Sequence, residues 1–368
     1  LMSIINVMWA GGLPFASVHK VHHQILSRIE PGMPVKTWLL QGAASDCQVD
    51  VGPAHEWNLT SARLKGRHIW RLFRPWMRSR FREALLDSDA RVVLLDGLGV
   101  ARTLLPVLKD MPQIRVVVIF HGATRLHITS RELLRGFPAS RLSLAAVSET
   151  LATSLQDELG LPVVALRSAF DPVAFQASLK SREEARARLG LSSADRRVFG
   201  AVGRLVGKKG FASLLDAFAR AASGHGDWRL VIVGEGPRRD ALQARIAQPD
   251  LVGKVLLTGH LEDVATLYKA FDWVLIPSLD EGLGLILQEA ILAGIPVLAS
   301  EIAVFREQLG DTGWYAPVND EVAWSEVITL ASQAPADAVA QAQYQALAPE
   351  QAWLSFSQTA RELISGRQ

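Results

Sequence analysis

Residues 273–300 read WVLIPSLDEGLGLILQEAILAGIPVLAS. Three changes of pattern lie within them. Trp273 to Ile276 is too apolar to have a wet face, which fits a strand buried on both sides. Pro277 ends it, a loop carrying Gly282 and Gly284 follows, and a helix then runs to Gly294, just before a second apolar run, Pro296 to Leu298. Strand, glycine loop, helix and strand make the repeating unit of a parallel α/β sheet. Amides at the start of such a helix have no partners within it and lie at the positive end of its dipole, so the loop is a place where phosphate is stabilised. Two carboxylates flank it: Glu281 in the loop and Glu289, about two turns into the expected helix. Sugar and ribose hydroxyls donate hydrogen bonds and carboxylates accept them, so a phosphate loop bracketed by two glutamates suits a nucleotide sugar.

The same grammar extends in both directions. Downstream of residue 195, buried runs are Phe199 to Val202, Leu230 to Val233, Val255 to Leu257, Val274 to Ile276 and Pro296 to Leu298; upstream they are Ile4 to Trp9, Val35 to Leu40, Val92 to Leu95, Val116 to Phe120, Leu144 to Val147 and Val163 to Leu166. Separated by helical stretches, they predict an α/β chain of two Rossmann-like, doubly wound parallel-sheet domains, with ligand in a cleft at the carboxyl ends of the strands. The charged stretch Lys180 to Arg188 and Gly190 interrupt the pattern, which places the boundary within Gln176 to Arg197 and the domains at 1–176 and 195–350. A last helix in 351–368, with Trp353, Leu354, Phe356, Ala360 and Leu363 at helical spacing, packs on its own domain or crosses back to the first.

Composition supports this reading. A chain of 368 residues exceeds what one core usually serves, and 49% hydrophobic with 21% charged residues excludes a disordered chain. Lys and Arg (39) nearly balance Asp and Glu (37). A single cysteine, Cys47, makes no internal disulfide and fits a reducing compartment, the cytoplasm. Leu1 to Val7 is too short and too poor in basic residues for a signal peptide and reads as a first buried strand. No apolar run reaches the ~20 residues of a membrane-spanning helix.

The stretch 273–300 resembles the signature of family 4 (group 1) retaining glycosyltransferases of the two-domain GT-B fold: a strand, Pro277-Ser278, then Glu281-Gly282-Leu283-Gly284-Leu285, a second Glu289-Ala290, and Gly294-Ile295-Pro296-Val297. By that resemblance Glu281 contacts the transferred sugar, Glu289 the ribose, and Gly282, Leu283, Gly284 and Leu285 form the donor loop. Gly203-Arg204, four intervening residues and Lys209-Gly210 are similar to the family's Gly-Arg-x-x-x-x-Lys-Gly motif, whose two cations neutralise the diphosphate; Lys208 competes with Lys209 for that role. Val233-Gly234-Glu235-Gly236-Pro237, Leu257-Thr258-Gly259 and Ala146-Val147-Ser148 follow the family's order. In the first half, Gly11-Gly12 lies where backbone approaches a diphosphate, and His121 resembles the family position that faces the donor sugar. Asp171 with Phe175 is similar to the family's hinge segment, although Ser168-Ala169-Phe170 replaces its first part. Glu301-Ile302-Ala303 stands where the family has a glycine-rich turn.

The resemblance implies an enzyme of the hexosyltransferase kind, with 1–176 on the acceptor side and 195–350 holding the donor. Arg204 and Lys209 would hold the diphosphate without a metal. His121, Glu281, Arg204 and Lys209 are the implied catalytic set; Gly11, Gly12, Gly234, Gly259 and Glu289 join them in binding the donor. The implied acceptor is an envelope glycan or glycolipid, in lipopolysaccharide core or surface polysaccharide biosynthesis. Two rivals share the architecture: a nucleotide-sugar 2-epimerase and an inactive pseudo-transferase that scaffolds polysaccharide assembly.

Three other features have their own readings. His19 and His23 have ligand spacing on a helix but no third partner in the sequence, so with His22 they read as surface or acceptor-side residues. Asp87-Ser88-Asp89 reads as a capping turn before a buried strand. Arg63 to Arg82 holds eight cations and no acid, with Trp70, Phe73, Trp76, Met77 and Phe81 interleaved and Pro75 starting or kinking a helix. That is either an anionic-membrane face or a packed helix with a solvated basic side; no nucleic-acid motif accompanies the charge.

Overall fold

A computed structural model describes residues 3–65 and 72–366. The chain forms two compact units. The first comprises residues up to Ser168 and those from Leu354 on; the second is Ala169–Trp353.

The first unit is built on a seven-stranded, all-parallel sheet. Its strands are β1 (Ser3–Ala10), β2 (Val35–Gln41), β3 (Ala54–Glu56), β4 (Ala90–Asp96), β5 (Arg115–Phe120), β6 (Leu142–Ala146) and β7 (Val164–Ala165), in the order β3-β2-β1-β4-β5-β6-β7. Helices on both faces leave the central strands dry: Ile4, Val7, Val93, Leu94, Val117 and Val118 are all fully buried. The chain runs one way from β1 to β3 and the other way from β4 on. The point where order reverses, between β1 and β4, is where such sheets open a crevice at their carboxyl edge. β3, an edge strand of Ala-His-Glu, has no apolar run and was not expected.

The second unit repeats the plan with six parallel strands: β8 (Arg197–Val202), β9 (Trp228–Val233), β10 (Val255–Gly259), β11 (Trp273–Ile276), β12 (Val297–Ser300) and β13 (Trp314–Ala316), ordered β10-β9-β8-β11-β12-β13. Its core packs Phe199, Phe218, Trp228, Trp273 and Trp324 between the sheet and the helices Phe211–Ala221 and Glu321–Gln333. β13 also escaped the pattern, because three residues before a proline carry too little periodicity.

The division falls between Ser168 and Ala169, ahead of the stretch 176–197 to which the change in composition points. The reason lies in where the charged segment spends its hydrogen bonds. Gln176 donates to the Leu292 carbonyl at 3.4 Å and the Lys180 amide to Thr266 at 2.9 Å. Arg186 reaches the Ala270 carbonyl at 3.1 Å, and Arg182 pairs with Asp272 at 2.7 Å. Residues 169–195 are thus fastened to the second unit.

The last helix, Pro349–Ser365, leaves the second unit and ends in the first. Arg115 of β5 holds its end by donating to the carbonyls of Leu363 and Ile364 at 3.1 and 3.0 Å. Phe356, Ala360, Leu363 and Ile364 form the buried face, whereas Leu354, expected on it, is 69% exposed. None of the described helices is long and apolar enough to cross a membrane.

Candidate active site

In the second unit the residues of the Glu281 and Lys209 loops come together as side chains. β11 ends at Ile276, and the loop from Pro277 to Gly284 leads into the helix Leu285–Leu292. Gly284 takes φ +81°, and a Cβ there would lie 2.6 Å from the Phe305 ring, so only glycine starts this helix at this approach. No side chain caps the helix start; the Leu287 amide turns back to the Gly284 carbonyl at 3.0 Å, and the amides ahead of it lie at the positive end of the helix dipole. Gln308 pins the loop from behind, donating to the Leu283 carbonyl at 2.7 Å.

Lys209 forms an ion pair with Glu281 Oε1, and Ser278 Oγ donates to the same oxygen at 2.8 Å. The two loops meet through backbone as well: the Leu279 amide donates to the Lys208 carbonyl at 2.8 Å. A Cβ on Gly210 would stand 2.0 Å from the Pro277 carbonyl oxygen. The Gly-Arg-x-x-x-x-Lys-Gly segment and the Glu281 loop are therefore one assembly, and of the two adjacent lysines it is Lys209 whose side chain turns into it. Lys209 meets Glu281, while the Lys208 side chain is exposed, as is Arg204.

Glu289 is the fifth residue of its helix, one turn in rather than the expected two. It is 2% exposed and accepts from the Tyr268 hydroxyl at 2.8 Å. Burial and the adjacent carboxylate push the Tyr268 phenol well above its ordinary pKa, so it stays a donor. Gly234 and Gly259 close the carboxyl ends of β9 and β10, where the Gly234 amide donates to the Gly259 carbonyl at 2.9 Å. A Cβ on Gly234 would meet the Gly203 carbonyl at 1.8 Å, which binds the Arg204 loop to the same edge.

In the first unit, Gly11 and Gly12 follow β1, but their amides donate to the Gln41 and Asp46 carbonyls at 3.2 and 3.1 Å. A Cβ on Gly11 would collide with the Asp46 side chain at 2.7 Å, so packing against residues 41–46 already requires that glycine.

His121, directly after β5, belongs to a buried polar cluster that the sequence left scattered. His22, from the helix Ala16–Leu26, is fully buried, and its Nδ1 donates to Asn6 Oδ1 at 2.7 Å. Asn6 in turn donates to Thr37 Oγ1 at 3.2 Å. His22 Nε2 lies 3.1 Å from His121 Nε2, which lies 3.5 Å from Asp96 Oδ1. The other Asp96 oxygen accepts the Trp9 amide at 3.0 Å.

Burial, and then the nearby His19, pushes the His121 pKa down to about 3; burial raises Asp96 to about 6, against the opposing Trp9 hydrogen bond. His121 is thus neutral at pH 7 and its contact with Asp96 is not an ion pair. His19 is fully buried too. Its Nε2 donates to the Ala10 carbonyl at 2.8 Å and its Nδ1 accepts the Gln48 amide at 3.0 Å. Of the two readings given for His19 and His22, surface or acceptor-side, the surface one is wrong: apolar neighbours in the helix draw both inward, where backbone and Asn6 satisfy them. Both ring nitrogens of His19 are engaged and His23 Nδ1 accepts the Asp50 amide at 3.2 Å, so the two histidines do not share an ion through that pair. Asp96, Asn6 and Tyr268 were missed, and of these only Asp96, an acid ending a buried strand, carried a visible signal; Ser278 stood in the quoted signature without a role.

Asp87, Ser88 and Asp89 end the helix Arg74–Asp87, with Ser88 Oγ donating back to Leu85 at 2.8 Å, which is a helix end. Of the basic aromatic segment, Trp70, Arg67 and Arg71 lie outside the described residues. Pro75 sits in the first turn of the helix, and Met77, Phe81 and Leu85 face the core. Leu72, Phe73 and Trp76 are 81%, 50% and 56% exposed.

Comparison with known proteins fits this geometry. The glycosyl transferases group 1 family matches residues 181–347, which include both halves of the donor loop assembly. The 2-deoxystreptamine glucosyltransferase of Streptomyces kanamyceticus is 31% identical over 172 residues, covering 45% of this chain and 44% of that one. The lipopolysaccharide core biosynthesis mannosyltransferase LpsB of Rhizobium meliloti is 27% identical over 208 residues, covering 55% and 56%. The chain thus spans about half the length of these curated relatives. Among solved structures, Anabaena HepE in complex with UDP and glucose superposes with a TM-score of 0.79 at 18% identity, over 99% of this chain and 100% of that one. Residues 181–347 thus match the glycosyl transferases group 1 model, and the two parallel-sheet units have the GT-B fold.

Proposed function

We propose that the chain is a retaining hexosyltransferase, acting on a nucleotide diphosphate sugar and an envelope glycan or glycolipid acceptor of the lipopolysaccharide or surface polysaccharide kind. The observation that carries this reading is the Lys209–Glu281–Ser278 constellation beside an uncapped helix start. In the free protein Lys209 and Glu281 satisfy each other. A bound diphosphate gives Lys209 an anion at the helix start, and Glu281 then accepts from a sugar hydroxyl. Arg204, exposed on the same loop, supplies the second cation. Glu289, held by Tyr268, takes the ribose.

Transfer breaks the bond between the anomeric carbon and the diphosphate oxygen and forms one to the acceptor oxygen on the same face. The acceptor's proton goes to the departing phosphate. Two cations stabilise that leaving group, so no metal is needed for the step. The names of the relatives support sugar transfer, and the UDP complexes of Anabaena HepE support a nucleoside diphosphate donor.

The test is a panel of nucleoside diphosphate sugars, scored first by thermal shift and then by sugar transfer with and without EDTA. The correct donor at 100 times its Kd adds about 2.7 kcal/mol of stability, and transfer to acceptor proceeds undiminished in EDTA. Donor consumed without acceptor would indicate the epimerase; donor bound and never consumed, the scaffold. Loss of transfer in EDTA would overturn the metal-free step.

An acceptor at the envelope is best met in the cytoplasm, at the inner face of the membrane, and the exposed Leu72, Phe73 and Trp76 beside Arg78, Arg80 and Arg82 suit an anionic lipid surface. Co-sedimentation is expected with anionic but not neutral vesicles, falling with salt. Changing Arg78, Arg80 and Arg82 to Gln should abolish most of it, at about 1 kcal/mol per cation. Equal binding to both vesicle types, or no loss in the triple variant, would leave the face a solvated helix side.

A further inference from the structure

The cluster beside β1, β4 and β5 has the makings of an ion site, and of its members only His121 enters the transfer reading. His22 Nδ1 is committed to Asn6 Oδ1, an acceptor only, which fixes the proton on Nδ1 and leaves the Nε2 lone pair aimed at His121. Nε2 of His22, Nε2 of His121 and a carboxylate oxygen of Asp96 lie within 4.8 Å of one another. The His22–His121 and His121–Asp96 separations are 3.1 and 3.5 Å. A tetrahedral ion with bonds of 2.0–2.1 Å holds its ligand atoms about 3.3 Å apart, so these two edges already have the length that an ion would impose.

The supporting shell is also built. Asn6 and Thr37 orient His22, and the Trp9 amide orients Asp96 through the oxygen that the ion would not take. His121 and Asp96 keep 14% and 10% of their side-chain surface, so the cluster has one face open for entry and for a further ligand.

We propose that His22, Asp96 and His121 form a binding site for a divalent first-row transition metal ion, with two imidazoles, one carboxylate and an open position. Two nitrogens and one hard oxygen favour Zn²⁺ and its neighbours over Mg²⁺ or Ca²⁺, which prefer oxygen alone. The site lies at the switch point of the first sheet. None of the three residues carries the diphosphate, but His121 is the one that the family resemblance turns toward the donor sugar, so an ion on its Nε2 competes with that role while the test below reads the ion alone.

The test uses the full chain, freed of metal and equilibrated with Zn²⁺. One equivalent is expected to bind, with Mg²⁺ failing to displace it, and X-ray absorption of the Zn²⁺-loaded wild type should show two imidazoles at about 2.0–2.1 Å. His22→Ala and Asp96→Asn should each weaken binding at least tenfold, while His127→Ala, an exposed histidine elsewhere in the unit, leaves it unchanged. No stoichiometric binding, fewer than two imidazoles, or full affinity in both site variants would overturn the proposal. The absorption measurement needs no variant and so decides even if His22→Ala fails to fold. Because every readout is metal content or coordination, failure here leaves the transfer reading standing, and the reverse holds.

Discussion

Replacing Glu281 or Lys209 by alanine is expected to lower sugar transfer by roughly two to three orders of magnitude, the size seen when one preorganised group facing transition-state charge is removed. The two losses arise differently. Without Lys209 the departing diphosphate keeps only Arg204 and the helix start, so kcat falls. Without Glu281 the sugar loses an acceptor, and Lys209 loses the partner that holds it in place. Each variant also strands the other half of a partly buried pair, and Ser278 relieves Glu281 alone, through its 2.8 Å hydrogen bond. Lys209→Ala should therefore leave the fold closer to wild type than Glu281→Ala, and circular dichroism with a thermal melt checks both. Lys208→Ala is the control, since that side chain is exposed and the lysine contributes its carbonyl. Turnover near wild type in either main variant, measured with saturating donor, would remove the constellation from the mechanism.

How far the sequence alone reaches differs between the sheets and the sites. Strands buried on both faces carry unbroken apolar runs, and eleven of the thirteen strands follow from them; β3 and β13 sit at sheet edges, where three residues bear no such pattern. The donor loop was legible because its chemistry is local: Glu281, Gly284 and Glu289 lie within one strand–loop–helix unit. The histidine cluster was not, because Asn6, His22, Asp96 and His121 come from the middle of one strand, a helix and the ends of two further strands, spread over more than a hundred residues. Periodicity says which face of a helix is buried but not that a polar residue on it will find partners there. His19 and His22 read as surface or acceptor-side residues for that reason, and the structure buries both with their ring nitrogens engaged.

The same limit applies to the basic segment Arg63 to Arg82, where composition put five aromatic or sulfur side chains on one footing. Phe81→Ala is expected to destabilise the first unit by about 3–5 kcal/mol, as for a large aromatic removed from a packed core. Phe81 is fully buried, its ring 4.4 Å from that of Trp57 and 6.2 Å from that of Trp38, and with Met77 and Leu85 it repeats at the spacing of the inward face. Trp76→Ala should cost under about 1 kcal/mol, since the ring is 56% exposed and its interaction is with Arg80, 5.1 Å over its centroid. Urea unfolding followed by the fluorescence of the buried tryptophans separates the two. A Trp76 effect as large as that of Phe81 would mean that the ring packs inward and is not available to a bilayer. If instead Trp76→Ala unfolds like wild type yet loses anionic vesicles, the exposed ring beside Arg78 and Arg80 is a lipid contact, and the helix divides its aromatics between core and membrane along its own period.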